Sequence, residues 1–241
     1  MSKVRKIYFV RLAVRCVILL LCVGLYICRR ASFEVLRGWS FFKRASVLHI
    51  LWLVWVGDML QQLIPAKGYI SLGSQKHFLK RFRPIAEKIN YPALKEHIIS
   101  TTKAAYKVFA LWLGVLAVLA ALYFAGVLSR EIVFLICVGF YVCDLICVLV
   151  WCPFRLIMKN RCCTTCRIFN WDHLMMFSPF ILIPGFYTTT LFLLSFAVWV
   201  VWELCVMMYP ERFWESSNQA LRCSECTDKL CTQYCRKISR A

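Results

Sequence analysis

The chain has 241 residues, 61% of them hydrophobic, and a net charge of +18; its mean hydropathy is +0.66. A soluble domain is nearer half apolar, and here the excess lies in long runs, so the composition excludes an ordinary soluble fold and points to an all-α, polytopic helical membrane protein. The basic residues flank those runs, which reads as loops held at an anionic leaflet, and nucleic acid is not an expected partner.

Lys3, Arg5 and Lys6 precede the first apolar run, Ile7 to Cys28. No small-x-small cleavage site precedes Arg29-Arg30, so this run is read as an uncleaved first helix. The second span is expected over Ala45 to Ile64. In the loop Ser71 to Ser100, Phe78, Leu79 and Phe82 alternate with Lys76, Lys80, Arg81 and Arg83, the pattern of an interfacial helix lying on the membrane. Pro92 then opens a helix that leads into the third span.

The third span, Ala104 to Leu128, and the fourth, Glu131 to Cys152, form a tight hairpin through Ser129-Arg130. The stretch Leu174 to Met208 would measure about 52 Å as one straight helix, too long for a ~30 Å hydrocarbon core. Pro179 and Pro184-Gly185 break it into a fifth element, Ile168 to Tyr187, and a sixth, Thr188 to Met208. Within Asn170-Trp171-Asp172-His173, Asn170 or Asp172 is expected to cap the fifth helix, with Trp171 at the interface. His49 and His173 are expected to be hydrogen-bonded structural histidines.

About six spans result, with a bundle over residues 1–208 and a cysteine-rich tail over 209–241. Six crossings with an inside N-terminus place the N-tail, the loop Lys67 to Lys103, the loop Arg155 to Arg167 and the tail Arg212 to Arg240 in the cytoplasm of a bacterial-type plasma membrane. Against this, Arg29, Arg30, Arg37, Lys43 and Arg44 must then lie outside. The rival arrangement has a re-entrant fifth element, five crossings and an outside tail. Arg15, Asp58, Asp144 and Glu203 stand inside apolar runs, at about 2.5–3.5 kcal/mol each on an insertion scale. With six spans all four fall in the cytoplasmic third, where Arg15 would neutralise a carboxylate, in either a packing salt bridge or a proton or ion path.

The fifteen cysteines are of two kinds. Those in apolar runs read as small hydrophobes; Cys143, Cys147 and Cys152 have helical spacing and could share a face, but core packing is the expected role. The polar kind comprises Cys162, Cys163 and Cys166 (C-C-x2-C) in a basic loop, and Cys223, Cys226, Cys231 and Cys235 (C-x2-C-x4-C-x3-C) in the tail. Four close thiols match the ligand count of zinc or an iron–sulfur cluster, and a reducing cytoplasm disfavours disulfides, so both clusters are expected metal ligands at one site or two. The tail resembles a zinc knuckle, with Cys231 in place of the histidine and a last gap one residue shorter.

Three functional readings follow: a redox-linked or sensory metal centre on a membrane protein; a transporter or scaffold with a structural zinc tail; and a membrane thiol–disulfide oxidoreductase. The last would use Cys163-Thr164-Thr165-Cys166, whose thiol a helix N-terminus, Arg161 and Arg167 would activate. Expected partners are the bilayer and a redox protein or a second copy of the chain. No phosphate loop, nucleophile elbow or H-E-x-x-H motif is present.

Overall fold

A computed structural model describes residues 2–65, 69–86, 88–160 and 162–230. These are helices and turns, with no strand among the described residues. The principal helices are α1 (Lys3–Cys28), α2 (Leu48–Gln62), α3 (Tyr91–Phe124), α4 (Arg130–Leu149), α5 (Asp172–Phe177) and α6 (Phe186–Met208). Side-chain caps fix three starts: Ser2 accepts from the Arg5 N–H, Asn90 from Ala93 ahead of Pro92, and Ser129 from Ile132. Each satisfies a donor that the first helical turn leaves open.

α1, α3, α4 and α6 are long and apolar enough to cross a membrane. Their outward faces are bare hydrocarbon: of α3 only Leu94, Ala105 and Val108 are buried, while Leu111, Val118 and Phe124 are exposed. Such a surface belongs against lipid. The helix that Pro92 was expected to open runs from Tyr91 into the third span as one 34-residue element and ends at Phe124, short of Leu128. The fourth ends at Leu149, short of Cys152.

Two elements depart further from expectation. α2 has 15 residues, or about 22 Å, shorter than the hydrocarbon core. Its start is set by Ser46, whose N–H and carbonyl both meet His49 Nδ1. The fifth element is not a continuous helix: a 3-10 turn Phe169–Trp171, α5 and a second 3-10 turn Ser178–Leu182 follow one another. His173, Met176, Phe177, Ser178 and Phe180 in it are buried. Irregular backbone at membrane depth is tolerated only inside protein, and that is where this segment lies. The expected caps fail here too. Neither Asn170 nor Asp172 caps α5, since Asn170 donates to the Ser74 carbonyl and Asp172 faces Gln62 and His173. Trp171 is buried within the protein and donates to Glu203.

The core centres on Trp55, fully buried against Phe134, Tyr141, Phe177 and Phe180. In a bilayer such contacts act through close packing, because lipid is as apolar as the side chains. α1 and α4 run antiparallel, with Val4 and Tyr8 beside Leu145 and Leu149. At one end of the bundle Phe186 donates to the Gly38 carbonyl at 2.9 Å, and a Cβ at position 185 would collide with the Leu36 carbonyl oxygen, so only glycine fits there.

The opposite end gathers all four basic segments. Ser2 Oγ donates to the Asp228 carbonyl, Leu72 N–H to Asp228 Oδ2 at 2.6 Å, Arg83 N–H to Asn218 Oδ1 at 3.2 Å, and Arg212 to the His77 carbonyl at 2.7 Å. Leu230 is buried in the cluster with Val4, Tyr8, Leu145 and Leu149. The expected interfacial helix is replaced by a buried turn, Leu72–Gln75, followed by Lys76 and His77, both buried. Lys76 can be buried because its ammonium donates to the carbonyls of Thr164 (3.0 Å) and Cys166 (2.7 Å) and lies over the Trp202 ring.

Candidate functional site

Three of the four intramembrane charges meet. Arg15 donates from Nη1 to Asp144 Oδ2 at 2.7 Å and to the Tyr141 carbonyl at 2.7 Å, and its Nη2 stands 3.8 Å from Asp58 Oδ2. Tyr141 donates its hydroxyl to the same Asp58 oxygen at 2.8 Å, and its ring lies under the guanidinium. Glu203 does not join them. It pairs with Arg167, Nη1 to Oε1 at 2.8 Å, and accepts from Trp171 Nε1 at 2.7 Å. Arg167 is thereby committed to a carboxylate and is not free to activate a thiol.

Cys143, Cys147 and Cys152 line one cavity of about 290 Å³ together with Cys162, Cys163 and Cys166. Two features of sequence bring them there. Pro153 starts a short helix, Phe154–Met158, which turns the chain back under the end of α4. The 3-10 turn Cys163–Thr165 then presents the loop cysteines, and Lys76 donates to the carbonyls of Thr164 within it and Cys166 just after it. Cys147 and Cys152 hydrogen-bond through their thiols, and the Cys163 thiol reaches the Cys147 carbonyl at 4.0 Å.

The electrostatics separate these thiols. The Cys147 hydrogen bond, helped by the backbone N–H groups of Phe154 and Arg155, brings the Cys152 thiol down to about 7 despite burial. Burial pushes Cys166 up, so of these two thiols Cys152 is the one held nearer neutrality. Burial also draws the Lys76 ammonium down to about 7. The sequence gives no direct sign of Lys76, Tyr141 or Gln62 as site residues; only the fold brings them to the thiols and carboxylates.

Cys223 lines a more polar cavity of about 710 Å³ that also contains Cys162, and Cys226 lies within electrostatic reach of Cys162. Cys231 and Cys235 fall outside the described residues. Among the described residues no three His, Cys, Asp or Glu side chains converge as ligands of one metal ion. His49 is hydrogen-bonded to Ser46 and Phe41, a structural role, whereas His173 meets Gln62 at 2.9 Å and Asp172 at 3.2 Å. No protein-family model matches this chain, and neither a curated protein nor a solved structure matches it.

Proposed function

We propose that this integral membrane protein is a thiol–disulfide oxidoreductase with Cys152 as attacking thiol and Cys147 as its partner. The hydrogen-bonded Cys147–Cys152 pair inside an apolar cavity carries the reading. A thiol near 7 is about half thiolate at neutral pH, close to the optimum for exchange. The Cys152 thiolate attacks one sulfur of an incoming disulfide, forming a mixed disulfide and releasing the first substrate thiolate. Cys147 then attacks the Cys152 sulfur and releases the second. Two electrons pass to the substrate, which leaves as two thiols, and Cys147–Cys152 becomes the disulfide.

The chain is read as making six crossings, with α2 and the broken fifth element as the short ones and both termini in the cytoplasm. The contacts among the four basic segments support a common side, and their charge supports the inner leaflet. A zinc or iron–sulfur centre is the second reading. Its ligands would be Cys223, Cys226, Cys231 and Cys235, with Cys162, Cys163 and Cys166 adjacent, and the shared Cys162–Cys223 cavity favours it.

Acid-quenched cells, differentially alkylated before and after reduction, test the first reading by peptide mass spectrometry. A Cys147–Cys152 disulfide whose fraction follows added oxidant and reductant is expected. A pair that stays dithiol under diamide, in a protein that purifies with stoichiometric zinc or iron, would transfer the argument to the metal.

A further inference from the structure

Beside the thiol cavity lies a polar one of about 50 Å³, room for a few waters at the ~10–15 Å³ of probe-occupied volume each needs. Gln62 Oε1 and His173 Nε2, both from residues lining it, are buried with no hydrogen-bond partner. Their residues are 7% and 4% exposed. An unsatisfied buried polar atom costs roughly 1–3 kcal/mol, so two around one small cavity point to a ligand that hydrogen-bonds.

Charge narrows that ligand. Asp58, Asp144 and Asp172 line the cavity with Arg15 as the buried guanidinium; half-buried Arg11 and buried Tyr8 close the α1 side. Carboxylates thus outnumber buried cations, a surplus that His173 and an exchangeable proton balance. Asp144 and Asp172 also line the thiol cavity, so each stands in the wall between the two.

We propose that this polar cavity is the proton-exchange site of the thiol centre, with water as its ligand and the Asp172–His173 pair as the group that changes protonation. The proposal rests on the Cys147–Cys152 reading. When Cys147 attacks the mixed disulfide on Cys152, its S–H proton passes through the wall carboxylates to Asp172–His173. A proton returns from there to the thiolate that leaves, so no net charge is left at membrane depth.

The test uses the full-length protein in detergent, reduced and then mixed with an aromatic disulfide, dithiobis-nitrobenzoate. Acid quenching and peptide mass spectrometry follow the Cys152 adduct and then the Cys147–Cys152 disulfide. The rate of adduct formation at Cys152 is the internal reference for an intact cavity, and Asp172→Asn is read against it. That variant should slow resolution about 100-fold, general-base contributions being ~10²–10⁴, and make that step rise with pH as an unassisted thiol does. His173→Gln should slow it less, and Asp172→Glu should recover most of the rate. Equal resolution rates and pH profiles in parent, Asp172→Asn and His173→Gln would overturn the proton site while leaving the redox reading intact. A parent that forms neither adduct nor disulfide would overturn both.

Discussion

Replacing Cys147 by alanine removes the main cause of the low Cys152 value while leaving Cys152 in place. With its thiol at about 7 and an ordinary value of 9.0, the loss would cut the Cys152 thiolate at pH 7 from about one half to about one hundredth, some 50-fold. The more basic thiolate is also the better nucleophile, and a Brønsted slope of ~0.4–0.5 over two units returns about 6–10-fold. Alkylation of Cys152 in Cys147→Ala should therefore be about 5–8-fold slower at pH 7 and about 6–10-fold faster on the alkaline plateau, so the two profiles cross. Isotope-coded iodoacetamide, read on the Cys152 peptide from pH 5.5 to 10.5, measures both. A parent inflection that stays where it was in Cys147→Ala would refute the assignment of the shift to the thiol–thiol hydrogen bond.

Arg15→Met strands Asp144 and should destabilise the detergent-solubilised protein by about 3–5 kcal/mol, with Arg15→Met/Asp144→Leu recovering much of that; thermal unfolding compares them. Lys76 binds its proton less well folded than unfolded, about 7 against the ordinary 10.5, so the unfolded chain holds the extra proton between those values. Stability should rise with pH from 7 towards 10, by up to about 1.4 kcal/mol per unit, and a parent-minus-Lys76→Met difference in melting temperature should carry that slope. Gly185→Ala should push the start of α6 away from Leu36, seen as faster amide exchange at Phe186, which donates to Gly38.

Runs of apolar residues and their flanking charges were legible because each is local: α1, α3, α4 and α6, the Ser129 hairpin and the Pro92 start all follow from residues a turn apart. What the sequence could not display was pairing across it. Arg15 with Asp58 and Asp144 was legible from depth alone, but Glu203 took Arg167 because the chain at Arg167 packs on α6, where Trp202 donates to the Arg167 carbonyl, a tertiary fact. Asn170 and Asp172 look like caps by type, yet longer-range acceptors and donors from residues 62–74 win them. The shared face of Cys143, Cys147 and Cys152 was legible as helical spacing, but not what it meets: one cavity joins it to Cys162, Cys163 and Cys166. Lys76 in a basic, aromatic-rich stretch has the pattern of a surface helix, and its burial depends on the Thr164 and Cys166 carbonyls that receive it from a distant loop.

The clamp of Asp228 and Leu230 on Ser2, Leu72 and the α1–α4 seam has a consequence for biogenesis. Asp228 and Leu230 leave the ribosome after α6, so this latch closes only once α1 to α6 have all been made. Cys223 and Cys226 therefore reach the neighbourhood of Cys162 only after α6 is made, and chains stalled before that point have their loop thiols without the tail beside them.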